Sequence, residues 1–313
     1  MILSASRRTD IPNYYSDWFF HRIEEGFVYV RNPMNPHRIS KIDLSPEVVD
    51  CIVFWTKNPQ PMLDRLAELK AYSYYFQFTL TGYGTDIEAG VPHKKESIIP
   101  TFQSLSRKIG KEKVIWRYDP ILFTDKYTPE YHLKAFEQIA SALHGYTDKC
   151  VISFVDTYVK NKKSMEALHA CNMNKAKLQN FAKQLSGIAT ANGMEISSCA
   201  EKIDLEACGI THNCCIEPKL IESIVGCRIN AVKDKNQREA CGCVESIDIG
   251  AYDTCRNGCK YCYANNSEER VANNCRQYNP FSPILCGEIT EGDKIHIRKV
   301  KSIKEVQLSI FDR

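Results

Sequence analysis

The stretch CIVFWTKNP, Cys51–Pro59, decides the fold. Its first part, Cys51–Thr56, is an apolar run of β-branched and aromatic side chains, the pattern of a buried strand. Two polar residues, Lys57 and Asn58, close it, and a helical pattern follows over Pro61–Lys70. The same phrase recurs on both sides. Strands are expected at Met1–Ser6, Tyr74–Thr81, Val114–Tyr118, Cys150–Val155 and Met194–Cys199. Helices are expected at Lys95–Ile109, Pro129–Leu143 and Asn174–Asn192, the last stopping at Asn192-Gly193. Such alternation implies parallel strands joined by crossover helices, hence an α/β fold. Six units suit a (β/α) barrel, complete or partial; an open doubly wound sheet is the competing architecture.

Polar residues gather where these strands should end: Arg7, Arg8, Thr9 and Asp10, then Lys57 and Asn58, Thr79 and Thr81, Arg117 and Asp119, Asp156, and Glu201. In a barrel all such ends share one mouth, where active sites lie. Any one of them could equally cap a helix or form an ion pair; the repetition is what points to a site.

The chain of 313 residues is long enough for a core that needs no disulfides. A net charge of +3 neither demands nor excludes nucleic acid. The N-terminus MILSASRRTD lacks the apolar core of a signal peptide, and no stretch approaches a membrane span, so a cytoplasmic protein is expected. Cysteine is the outlier, with 15 in all, 10 of them between Cys199 and Cys262. In a reducing compartment, crowding of this kind points to metal.

The alternation breaks between Cys199 and Cys243, where helical signal is weak and cysteines and turn residues dominate. This divides the chain into a main barrel over 1–198, a cysteine-rich segment over 199–245, and a last part over 246–313. That last part should open with a seventh strand, Ser246–Tyr252. The stretch DTCRNGCKYCYAN follows, with Cys255, Cys259 and Cys262 spaced C-x3-C-x2-C. Zinc sites usually pair C-x2-C with a second pair elsewhere. Three thiolates on one loop suit three corners of a 4Fe-4S cubane, leaving one iron open. Gly258 would relax the loop backbone.

The motif, with Tyr261 before its last cysteine, resembles the signature of radical S-adenosylmethionine enzymes. That resemblance implies an open iron that chelates S-adenosylmethionine and a reduced cluster that cleaves it to a 5′-deoxyadenosyl radical, which takes hydrogen from a substrate. It also implies an electron donor such as ferredoxin or flavodoxin. Those enzymes carry the motif after their first strand, whereas here it follows the seventh. A circularly permuted barrel would restore its place by setting Ser246–Tyr252 beside Met1–Ser6.

A closer resemblance covers nearly the whole chain. The strings SASRRTDIP, CIVFWTKNP, FQFTLTGYG, WRYDPI, SFVDTYVK, SCAEKIDL, KDKNQR with CGC, DIGAYDTC with GCKYCYAN, and QLSIFD are similar to the domain-of-unknown-function family 1848. The family has a C-terminal cysteine cluster like the radical S-adenosylmethionine motif and no assigned substrate. In it Cys199, Cys215, Cys241 and Cys243 fit recurring positions, while Cys208, Cys214 and Cys227 do not. Those four would hold a second 4Fe-4S cluster or a structural zinc; a buried thiol patch is the plainer alternative. Cys51, Cys150 and Cys171 are expected to pack as small hydrophobes.

For S-adenosylmethionine itself the candidate contacts are Arg7 and Arg8 for its carboxylate, Asp10 and Asp119 for the ribose, Lys57, and Glu288 in a degenerate Gly-Glu segment. An ion pair at the rim is the bland alternative for each. The eight histidines, His21, His37, His93, His132, His144, His169, His212 and His296, show no metal spacing, and most read as surface residues. The lysines of 160–183 read as a solvated face. A small molecule or peptide is therefore the favoured substrate class over nucleic acid. The competing function is a non-catalytic electron carrier or zinc-bound interaction module, in which Cys275 would supply the first cluster's fourth thiolate.

Overall fold

The computed structural model describes residues 1–155, 161–171, 173–238 and 241–305. Its frame is an eight-stranded sheet built from β1 (Ile2–Ala5), β4 (Cys51–Thr56), β5 (Tyr74–Thr79), β6 (Val114–Ile121), β7 (Lys149–Phe154), β8 (Glu195–Cys199), β9 (Thr211–Asn213) and β10 (Ile247–Asp248). The order is β10-β1-β4-β5-β6-β7-β8-β9, and every neighbouring pair is parallel. Apart from β10, the order follows the chain without reversal, the winding of a partial barrel; a doubly wound sheet reverses its order at a switch point.

Strand periodicity sorts the side chains between two cores. Leu3, Ile52, Phe54, Phe76, Phe78, Trp116 and Ile152 face one core. It is filled by α2 (Ser16–Glu25), α3 (Ile99–Ile109), α4 (Pro129–Leu143) and α6 (Lys175–Ala191), through residues such as Phe19, Phe102, Phe136 and Leu185. The alternate residues Ile2, Val53, Tyr75, Ile115 and Val151 face the other. There the cysteine-rich segment packs, with Ile216, Ile229, Val244 and Ile221 of α7 (Pro218–Val225). The segment expected to lack helix thus carries a short one, and it covers the inner face of the sheet.

Three expected elements change form. Lys95–Ile109 divides into a π-helical turn, Lys94–Ile98, and α3, because Pro100 has no N–H to continue the ladder. The helix of Pro61–Lys70 is a 3-10 helix, Gln60–Leu69. The strand of Ser246–Tyr252 shrinks to Ile247–Asp248, because the Gly250 amide donates to Asp248 Oδ1 at 3.0 Å and turns the chain. It still pairs with β1 as expected, Leu3 opposite Ile247 and Ser4 opposite Asp248. A second sheet, unforeseen, joins β2 (Phe27–Asn32), β3 (Asn35–Asp43) and β11 (Lys294–Ile297). Short helices α1 (Ile11–Tyr14), α5 (Lys162–Ala167) and α8 (Glu268–Arg276), with 3-10 turns at Lys111–Lys113 and Glu206–Cys208, complete the described elements. No described helix is long and apolar enough to cross a membrane.

Candidate metal centre at the sheet mouth

Parallel strands put all their carboxyl ends on one side, and there the inward residues become polar. Ser6 Oγ donates to Asp248 Oδ1 at 2.6 Å, joining β1 to β10. Arg117 Nη1 donates to Gln77 Oε1 at 3.2 Å, and its guanidinium pairs with Asp119, which also accepts from Ser153. The loop bearing the C-x3-C-x2-C motif leaves β10 and lies against this layer.

Backbone contacts dock that loop onto residues 87–90: the Gly90 amide donates to the Asn257 carbonyl at 2.8 Å and the Lys260 amide to the Ile87 carbonyl at 2.9 Å. Asp10 pins it from the other side, accepting from the Asn257 side chain at 3.0 Å and from the Lys57 amide at 2.8 Å. Tyr14 OH donates to Asn257 Oδ1 at 2.9 Å. Gly258 sits at φ +63°, the left-handed conformation for which glycine was expected.

Cys255, Cys259 and Cys262 lie near one another: Cys259 and Cys262 raise the cost of ionising Cys255, and Cys262 that of ionising Cys259. Burial pushes all three thiols upward, Cys259 to about 12, so none is an ordinary reactive thiolate. Backbone amides at Ala264, 3.3 Å from Cys262 Sγ, and Asn265 favour its sulfur as acceptor. Lys57 lies beside Cys259 and favours its charged form. Half-buried thiols with N–H donors and a nearby cation suit an anionic thiolate cluster. Among the described residues, no group of three or more His, Cys, Asp or Glu is arranged as it stands to hold a metal ion. Cys275, the conceivable fourth ligand, is bonded beside the loop: its sulfur lies 3.3 Å from Tyr15 OH and 3.8 Å from the carbonyl of Thr254, the residue before Cys255.

Glu88, which no strand end announced, is the hub of the mouth. It is 1 % exposed and accepts from Lys57 Nζ at 2.8 Å, from Thr81 Oγ1 at 2.9 Å, and from Lys94 and Tyr261 OH. Burial alone would raise its pKa, but Lys57 and Lys94 hold it at about 2. Lys57 Nζ also donates to Tyr261 OH at 2.9 Å. The aromatic residue of the motif is thereby fixed by a buried charge network.

The second cysteine set also comes together. Cys199, Cys215, Cys241 and Cys243 are all buried, and Cys199 Sγ lies 2.7 Å from Cys215 Sγ. Cys243 bonds to both Cys215 and Cys241, which holds its thiol low; the same contacts raise the other two. Arg117 Nη1 donates to Cys215 Sγ at 2.8 Å. The Cys215 carbonyl accepts from Tyr75 OH at 2.8 Å and Gln77 Nε2 at 2.7 Å, tying the segment to β5.

The remaining candidates are dispersed. Arg7 turns inward over Trp55, 5.1 Å to the ring centroid, beside Cys243 and Cys215. Arg8 lies over Tyr252 at 5.0 Å. Asp10, Lys57 and Asp119 are engaged by protein partners, so they hold the mouth together. Glu288 lies apart from these: its carbonyl accepts from Arg31 Nη2 at 2.9 Å in the second sheet, the residue is exposed, and Gly287 stands at φ +83°. Among the cysteines, Cys51 and Cys150 are buried as expected, but Cys171 is exposed. Among the histidines, His132 is fully buried, because its ring nitrogens are satisfied by Tyr118 OH at 2.8 Å and the Leu122 carbonyl at 3.0 Å. Lys162, Lys163, Lys175, Lys177 and Lys183 are exposed. Asp156, Lys160 and the QLSIFD string lie outside the described residues.

The model of the family described as Domain of unknown function (DUF1848) matches residues 2–264, and the chain belongs to that family. No curated protein matches it. A crystal structure described as a putative alpha-L-fucosidase from Bacteroides thetaiotaomicron VPI-5482 aligns at 13% identity, covering 67% of this chain and 80% of that one. Its TM-score of 0.24 is too low to bear on fold or activity.

Proposed function

We propose that this member of the domain-of-unknown-function family 1848 is a radical S-adenosylmethionine enzyme. Cys255, Cys259 and Cys262 would hold its 4Fe-4S cluster, on a sheet that is a circular permutation of the radical S-adenosylmethionine barrel. The observation that supports this best is the pairing of three gathered thiols with a fourth, Cys275, that is bonded to Tyr15 and Thr254 instead. Three ligands leave a coordination position for a substrate; an electron carrier would close it. When bound and reduced, the group supplies one-electron cleavage of S-adenosylmethionine, whose radical product takes a hydrogen atom from substrate.

The protein's part is positioning and exclusion of water. Asp10 and Asn257 fix the loop, while Glu88 and Lys57 fix Tyr261. Thr9 Oγ1 and Asn265 Oδ1 are buried polar atoms without partners among the described residues, and they are the side chains proposed to meet S-adenosylmethionine, together with Arg8. A small molecule or peptide is the proposed substrate class, with ferredoxin or flavodoxin as electron donor.

The test is anaerobic. The reconstituted chain is reduced with dithionite and mixed with S-adenosylmethionine, and 5′-deoxyadenosine is quantified alongside the electron paramagnetic resonance of the cluster. The expected results are a perturbed spectrum even without substrate, and nucleoside formation that is lost in Cys259→Ala. A reduced cluster whose spectrum ignores S-adenosylmethionine, or undiminished product from Cys259→Ala, would overturn the assignment.

A further inference from the structure

We propose that Cys199, Cys215, Cys241 and Cys243 are the ligands of a second 4Fe-4S cluster, seated on the inner face of the sheet between Arg117 and Arg7. The inference does not depend on the role of the first cysteine triad.

Three separate pieces of chain deliver these thiols: the end of β8, the turn after β9, and the C-G-C turn. They are 7 %, 4 %, 6 % and 1 % exposed. A patch of spare thiols, packing as small hydrophobes, would sit among apolar side chains. This one shares the apolar cluster of Ile216, Ile221, Ile229 and Val244, but it also sits against two guanidiniums. Arg117 donates to Cys215 Sγ at 2.8 Å, and it and Arg7 both stack on Trp55, with Arg117 5.4 Å from the ring centroid.

Arg7 is the telling residue. Its side chain is half-buried and near the Asp248 carboxylate, yet among the described residues its Nη2 is buried without a hydrogen bond, as is Trp55 Nε1 beside it. A buried N–H donor left without an acceptor costs free energy that a well-placed acceptor recovers. Four thiolates around a cubane carry net negative charge and accept N–H hydrogen bonds at sulfur, which supplies what Arg7 lacks. The Ile216 amide already points at Cys243 Sγ, at 3.4 Å.

A single zinc fits less well for two reasons. A structural zinc contributes folding energy outright, and this segment already buries Ile216, Ile221, Ile229 and Val244 in a core. A structural staple also needs no place at the mouth, yet this site adjoins the triad loop, where Tyr263 OH donates to the Arg7 carbonyl at 2.7 Å. The thiols must spread to accept any metal. Sulfurs 2.3 Å from one zinc stand about 3.8 Å apart, and those of Cys199 and Cys215 are 2.7 Å apart.

The experiment uses the full chain, reconstituted anaerobically with iron and sulfide. Iron, acid-labile sulfide and zinc are counted in wild type, in the triple variant Cys255→Ser, Cys259→Ser, Cys262→Ser, and in that variant with Cys215→Ser added. The triple variant should keep about half of the wild-type iron and sulfide, and the fourth substitution should remove it. A triple variant with native circular dichroism but no iron, or with zinc in its place, would overturn the proposal. Alkylation of the loaded wild type gives an independent readout that needs no variant. The four cysteines should be protected from iodoacetamide until a chelator is added; their labelling in the loaded chain would also overturn it. A triple variant that keeps all the wild-type iron would instead sink the triad assignment and leave the second site standing.

Discussion

Glu88 is enclosed by two lysines, a threonine and a tyrosine, and its carboxylate is what keeps those cations bearable in a dry place. The Lys57 and Lys94 side chains are only 11% and 21% exposed. Removing one lysine leaves a carboxylate still paired with the other. Removing the charge of Glu88 leaves two ammonium groups facing each other without an anion. Glu88→Gln should therefore cost about 3–5 kcal/mol, the loss typical of an orphaned buried charge, and Lys57→Met distinctly less. Urea unfolding of the metal-free chain checks this; equal losses would mean that the three charges do not act as a unit. The cysteine motif was legible in sequence because its spacing is local, four positions then three along one loop. Glu88 was not, because its meaning comes from Lys57 on another element and from a tyrosine far along the chain. Arg7 and Asp10 were found by position at a strand end, but not their protein partners: sequence marks the end of a strand but not which way its side chain turns.

At the scale of elements, the cysteine loop behaves as a strap docked on residues 87–90. Contact there is backbone against backbone, and Gly90 makes room for it. A Cβ on Gly90 would stand 2.4 Å from the Arg256 carbonyl oxygen, which cannot rotate away as a side chain would. Gly90→Ala should push the strap off. In the metal-free chain, alkylation of Cys255, Cys259 and Cys262 should quicken several-fold while that of Cys215 and Cys243 stays unchanged. A uniform change across both sets would mean general loosening instead. The repeating strand–helix phrase was readable because buried parallel strands are apolar on both faces and keep short runs. The second sheet was not: β3 buries only Ile39 and Ile42 in a run of polar residues, and its partner β11 lies far off in sequence. The π-turn before α3 was written in Pro100, a breaker inside an otherwise helical pattern.

Across the whole molecule, the sheet closes sequence distance. Pairing of β10 with β1 brings the motif near one end of the chain to the polar strand ends near the other. The pairing was foreseeable from the cyclic logic of a barrel; the inner face filled by the cysteine-rich segment was not, because apolar residues there follow no single period. The two-core packing also sets how the molecule responds to acid. His132 on α4 is fully buried, bonded to Tyr118 of β6 and to the Leu122 carbonyl. Burial lowers its pKa from 6.5 to about 4, only partly offset by the Leu122 bond. Between those values the unfolded chain takes up a proton that the folded chain refuses, so stability must fall as pH falls from 6.5 to 4 and level off below. The full cost is on the order of 3 kcal/mol, from 1.36 kcal/mol per pKa unit. Glu88, held at about 2, adds a further loss below its ordinary value of 4.5. The two steps are separable by substitution. In the metal-free chain, His132→Gln should flatten the unfolding midpoint between pH 6.5 and 4.5 and leave the lower step in place. A variant whose stability still declines through that upper window would show that His132 does not carry the acid response there.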